Sequence, residues 1–142
     1  MKRGGRQPMR VWARVVLARR LSEVERHLDR VLHSSGTEAI HGLCVVAWRA
    51  RAAVRHLEPC FGARAAQQLQ AALRQLARQI GRARDLDLLI ESLAGAAKRP
   101  GAPLAAVLPR LQRRRAERLR RALPQLRWLH RSLPGWSRRL AR

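Results

Sequence analysis

Histidine, cysteine, tryptophan and arginine crowd one short stretch, IHGLCVVAWRARAAVRHLEPCF, at residues 40–61. Within it His41 and Cys44, and again His56 and Cys60, stand at spacings that bring side chains together on a helix, as metal ligands are often presented. The two pairs lie at opposite ends of the stretch, each would need further ligands from elsewhere, and cations surround both. Solvated histidines and space-filling thiols explain them more simply, and no metal site is expected. Wound at roughly 100° per residue, the same stretch gathers Leu43, Val46, Ala47, Ala50, Ala53, Val54 and Leu57 on one arc. His41, Cys44, Val45, Trp48, Arg51 and Arg55 fall opposite, with Arg49 at the edge. Arginine stays charged at any relevant pH and presents a planar fork of donors matched to phosphate oxygens, so this back is either a solvated surface or a surface for an anion.

Other chemistry finds little support. Asp85 and Asp87 are the candidate paired carboxylates, but residues two apart on a helix point to different sides. A helix start, with one of them as cap or first-turn acid, explains both. The chain has no Gly-rich phosphate loop, no nucleophile elbow and no Ser/His/Asp set in a supporting context. It reads as a binding protein, not an enzyme, and no cofactor is expected.

The charge balance favours the anion surface. Among 142 residues, 31 Lys plus Arg face 9 Asp plus Glu, a formal +22 with a pI near 12. Self-repulsion on that scale is unfavourable unless a polyanion or an acidic surface offsets it. A GC-rich coding bias toward Ala, Arg and Leu would explain part of the excess. Hydrophobic content of 46% supports a single core, and the 4% aromatic content with no Tyr favours helices over strands. An all-α, single antiparallel helical bundle of about four main helices follows. Cys44 and Cys60 lie roughly 24 Å apart if one helix carries both, beyond disulfide reach. Free thiols suit a reducing, cytoplasmic compartment. No apolar run approaches a membrane span.

Along the chain, residues 1–8 read as a basic disordered leader, residues 9–133 as the bundle, and residues 134–142 as a basic tail without a fold. The first helix carries Leu17, Leu21, Val24, Leu28 and Val31 as its core seam. A turn at His33–Thr37 leads to the second helix, which ends near Glu58-Pro59 because a residue before proline disfavours helical geometry. The third, from about Arg64, is expected to stop at Gly81 and restart at RARDLDLLIESL. A loop over Ala94–Pro103 precedes a last helix from Leu104 to Leu133, where Pro124 should kink or break the helix and Arg115, lying in the apolar stripe, should snorkel to its edge.

Two stretches resemble the CHAD family, the conserved histidine α-helical domain. IHGLCVVAWRARAAVRHL is similar to the family's His and Arg pattern: His41 stands at the histidine position, Val45 at the valine, and Arg49, Arg51 and Arg55 at later basic positions. LRQLARQIGRARDLDLLIESL resembles the family's second and more specific signature through Ile80, Gly81, Ala83, Arg84, Asp85 and Asp87. The Arg-rich helix from Leu104 fits the next element loosely. The resemblance implies a non-catalytic helical bundle that binds inorganic polyphosphate through a basic surface and serves polyphosphate granules or enzymes of phosphate-polymer metabolism. His41, Arg49, Arg51, Arg55 and Arg84 are the ligands it implies, and helix phase adds Arg74, Arg114 and Arg118.

Two departures from the pattern stand out. Where the family has arginines three and seven residues after the histidine, this chain has Cys44 and Trp48. Only the first of the two related bundles of the usual domain is found. Both suggest that Cys44 and Trp48 contact a second copy of the chain, so that a homodimer rebuilds the basic cradle. Nonspecific nucleic-acid binding and docking to an acidic protein partner are the alternative functions that the charge allows.

Overall fold

A computed structural model describes residues 6–98 and 103–140. Within them the chain forms four long helices: α1 (Arg6–His33), α2 (Thr37–Leu57), α3 (Ala63–Ala97) and α4 (Leu108–Leu140). Short 3-10 turns at Glu58–Cys60 and Pro103–Ala106 lead into α3 and α4. The expected all-α bundle is what forms. Each helix packs against its neighbours in sequence, and α1 packs against α4, which closes the ring. Side-chain links between α3 and α4 run in opposite chain directions: Asp87 meets Arg115 and Gln79 meets Gln125. On the other side of α3, Gln70 donates to the Arg51 carbonyl of α2 at 3.2 Å.

The apolar arcs face a common interior. Leu17, Leu21 and Leu28 of α1, Ile40 and Leu43 of α2, Leu69, Leu73, Leu76 and Ile80 of α3, and Leu126, Leu129 and Leu133 of α4 are all essentially inaccessible to solvent. Ala47 and Ala50 sit among them and let α2 approach its neighbours closely. Gly42 serves the same end: a Cβ there would come within 2.8 Å of the His27 ring of α1.

Several boundaries differ from the sequence expectations, among them the start of α4, which is Leu108, with Pro109 in its first turn, and not Leu104, which lies in the preceding 3-10 turn. Helix α1 starts at Arg6, so residues 6–8 of the leader are helical, and Pro8 sits in the first turn, where its missing N–H costs nothing. Residues 1–5 lie outside the described residues. Gly81 does not interrupt α3, because Ile80 and Ala83 on either side are buried and hold the helix across it. Asp85 and Asp87 are therefore mid-helix and cap nothing. Neither Pro124 nor Pro134 ends α4, whose stripe continues through Leu126, Leu129, Leu133, Trp136 and Leu140. The tail is folded as far as Leu140, since Trp136 and Leu140 are both buried. Of the expected Ala94–Pro103 loop, Ala94–Ala97 belongs to α3, Lys98 follows it, and residues 99–102 lie outside the described residues.

Candidate polyanion-binding surface

The arc of α2 that carries His41, Cys44, Trp48, Arg51 and Arg55 lies beside α3. One hydrogen bond places the two helices side by side, the Arg51 carbonyl accepting from Gln70 of α3 at 3.2 Å, and Arg84 of α3 acts electrostatically on Cys44, seven residues before Arg51 on the same face of α2. On α3, Gln70, Ala77 and Arg84 repeat at the same heptad interval, and Arg74 follows Gln70 by one turn. The α2–α3 seam thus carries His41, Arg51 and Arg55 from one helix and Arg74 and Arg84 from the other.

Burial divides these side chains. His41, Arg55 and Arg74 are exposed, whereas Arg51 and Arg84 are half-buried. The Arg51 Nε is withdrawn from solvent without a hydrogen-bond partner. A buried donor left unmade is costly, and an acceptor on the seam would relieve it. None of the five seam cations or potential cations is ion-paired with a carboxylate among the described residues. The guanidinium groups are free to take an anion.

Three of the expected ligands sit elsewhere. Arg49 is exposed and lies seven residues after Gly42, on the side of α2 that turns toward α1. Arg118 is half-buried on α4, seven residues before Gln125, which bonds Gln79 of α3, so it belongs to the α3–α4 side. Arg114, exposed one turn before Arg118, goes with it.

The two residues that depart from the family pattern part company as well. Cys44 packs against the core of its own chain. Burial pushes its thiol above the ordinary range, Asp85 and Asp87 add to the effect, and Arg84 opposes it. The group is a neutral thiol near pH 7. Trp48, one turn on, is 68% exposed.

Sequence reasoning missed the polar link at the core of this end of the bundle. Asp87 is buried and pairs through both carboxylate oxygens with the Arg115 guanidinium of α4. Arg115 also donates to the Ser35 carbonyl at 2.8 Å, which ties the α1–α2 turn to the same pair. Arg115 does not reach out to solvent as expected, because an opposite charge waits inside. The signal was present: Asp87 stands seven residues after Ile80 on the α3 core stripe, and Arg115 stands on the α4 stripe. Two opposite charges on facing apolar stripes are a pair.

Among the described residues, no three His, Cys, Asp or Glu side chains gather as a metal site. No described helix is long and apolar enough to cross a membrane. The family model of the CHAD domain matches residues 15–141. No curated protein and no solved structure matches the chain.

Proposed function

The chain belongs to the CHAD domain family, a family associated with polyphosphate binding, and from that premise we propose that it binds inorganic polyphosphate along the α2–α3 seam. The observation that carries the reading is the half-buried Arg51, whose Nε has no partner, on a seam where Arg55, Arg74 and Arg84 also lack carboxylates. An extended polymer of phosphates meets such a row one group at a time, and each guanidinium can bridge neighbouring phosphoryl oxygens. His41 adds a donor at the end of the row. The domain acts by binding and not by catalysis, in the cytoplasm and on polyphosphate granules. Arg49, Arg114 and Arg118 contribute long-range attraction and not contacts.

A second reading has an observation of its own. Trp12, Trp48 and Trp128 are each more than half exposed, and exposed tryptophans beside arginines are stacking platforms for single-stranded nucleic acid. Competition between long-chain polyphosphate and single-stranded or duplex nucleic acid, at matched salt and equal charge concentration, separates the two. Polyphosphate should win; if nucleic acid displaces it, the second reading replaces the first.

The homodimer belongs to the same proposal, and Trp48 is the residue that supports it. Its exposed ring in the middle of the basic arc offers an apolar contact to a second copy. Sedimentation at high protein concentration, with and without polyphosphate, should show a dimer that Trp48→Ala dissociates. A strict monomer under both conditions would remove this part.

A further inference from the structure

A second basic site lies at the end of the bundle remote from Arg84, where α1 begins, α3 begins and α4 ends. A cavity of about 320 Å³ opens there, lined by Arg10 and Arg14 of α1, Arg139 of α4, and Phe61, Gly62 and Ala65 at the start of α3. We propose that this cavity binds a free, compact oligophosphate anion of pyrophosphate size, separately from any polymer on the α2–α3 seam.

The lining is cationic and no acid answers it. Arg10 and Arg14 are one helical turn apart, a spacing at which like charges repel. Arg139 brings a third positive charge from another helix. Among the described residues none of the three pairs with a carboxylate. Glu58, the acid nearest to Phe61 in sequence, does not line the cavity. The Arg14 Nε is buried without a hydrogen-bond partner. A chain that folds three guanidinium groups together, one with an unmade donor, leaves an attraction for a multivalent anion in place.

The surroundings strengthen that attraction and limit the size of the ligand. Phe61, Ala65 and Leu140 line the cavity with apolar surface, and charges interact more strongly beside low-dielectric walls. Arg139 sits over the buried Trp136 ring at 5.3 Å, a contact that favours its guanidinium beside the cavity. Gly62 caps α3 with no side-chain hydrogen bond, and the first-turn N–H groups add to the donors. α4 ends at the same place with its negative pole, so the arginines and not the helix dipoles supply the attraction. The volume corresponds to about ten water molecules, room for a few phosphoryl groups and too little for an extended polymer. Three bidentate forks suit phosphoryl oxygens better than a lone carboxylate.

The test is calorimetric titration of the full chain with pyrophosphate at near-physiological salt, with tryptophan fluorescence as a second readout. The wild-type chain should bind about one equivalent, and Arg14→Met and Arg139→Gln should each weaken binding by about tenfold or more, the loss of a charged hydrogen bond. Because Arg139 is exposed, Arg139→Gln reads the site even where Arg14→Met fails to fold. The Arg51→Ala/Arg84→Ala chain should keep its pyrophosphate affinity while losing polymer affinity, so failure of the seam and failure of the cavity are distinguishable. Lack of saturable binding, or equal weakening in both sets of variants, would overturn the proposal. Displacement by long polyphosphate in proportion to its chain ends would also overturn it, by reassigning the site to a polymer terminus.

Discussion

Arg51 and Asp87 show how the presence or lack of a partner gives two polar residues different tasks. Arg51 is half-buried with a donor unmade, so it waits for a ligand. Asp87 is buried with its charge met by Arg115, so it holds α3 to α4. Asp87→Ala should cost about 3 kcal/mol, the range for leaving a buried partner charge unpaired. An Asp87→Leu/Arg115→Met chain should recover most of that loss in a denaturant titration, since apolar groups of similar volume can replace such a pair. A double variant as unstable as the single would contradict this role. His27 gives a pH prediction. Burial against α2, followed by the repulsion of Arg30 and Arg26 and partly offset by Glu23, holds its pKa below the ordinary 6.5. The unfolded chain therefore binds the proton more readily, so stability is fully present above pH 6.5 and falls as the pH drops below it. Thermal melts between about pH 7.5 and pH 5.5 should show a decline that His27→Gln flattens. An equal decline in the variant would rule His27 out.

At the scale of elements, the apolar repeats of α1, α2, α3 and α4 were legible because burial follows helical phase, and the resemblance at residues 40–57 and 73–93 was legible because those motifs are local. The ends of elements were not. Gly81, Pro124 and Pro134 are local breakers, and each is overruled by buried neighbours on the same helix, a tertiary effect that no short window contains. The grouping of Arg51 with Arg74 and Arg84, and the separation of Arg49, Arg114 and Arg118 from them, depends on which helices adjoin, which the spacing along one helix does not give. Gly81→Ala should stabilise the chain by about 0.5–1 kcal/mol, since a methyl there meets nothing within 4 Å and removes the conformational freedom of glycine in a helix. A destabilised variant in the same denaturant titration would mean that α3 needs the glycine. Trp136→Ala should cost about 3–5 kcal/mol, as befits a buried aromatic. An unchanged unfolding midpoint would return residues 134–140 to the status of a tail.

For the whole molecule, a formal charge of +22 on one four-helix bundle gives attraction to any polyanion. The arrangement within that charge is what makes the claim specific. Half-buried Arg51 and Arg84 on the α2–α3 seam form no ion pair with an acid among the described residues, and the exposed arginines of α4 include Arg121, which pairs with Glu117 at 2.5 Å. Affinity for polyphosphate should therefore fall steeply with salt, as counterion release requires, yet depend on a few positions and not on total charge. The most direct measurement is the polyphosphate dissociation constant of the Arg51→Ala/Arg84→Ala chain set beside that of an Arg110→Ala/Arg120→Ala chain, which loses the same charge from exposed positions of α4. The seam variant should bind at least about tenfold more weakly than wild type with its melting temperature unchanged, and the α4 variant should bind nearly as wild type does. Equal losses in the two chains would show that net charge, and not the seam, holds the polymer.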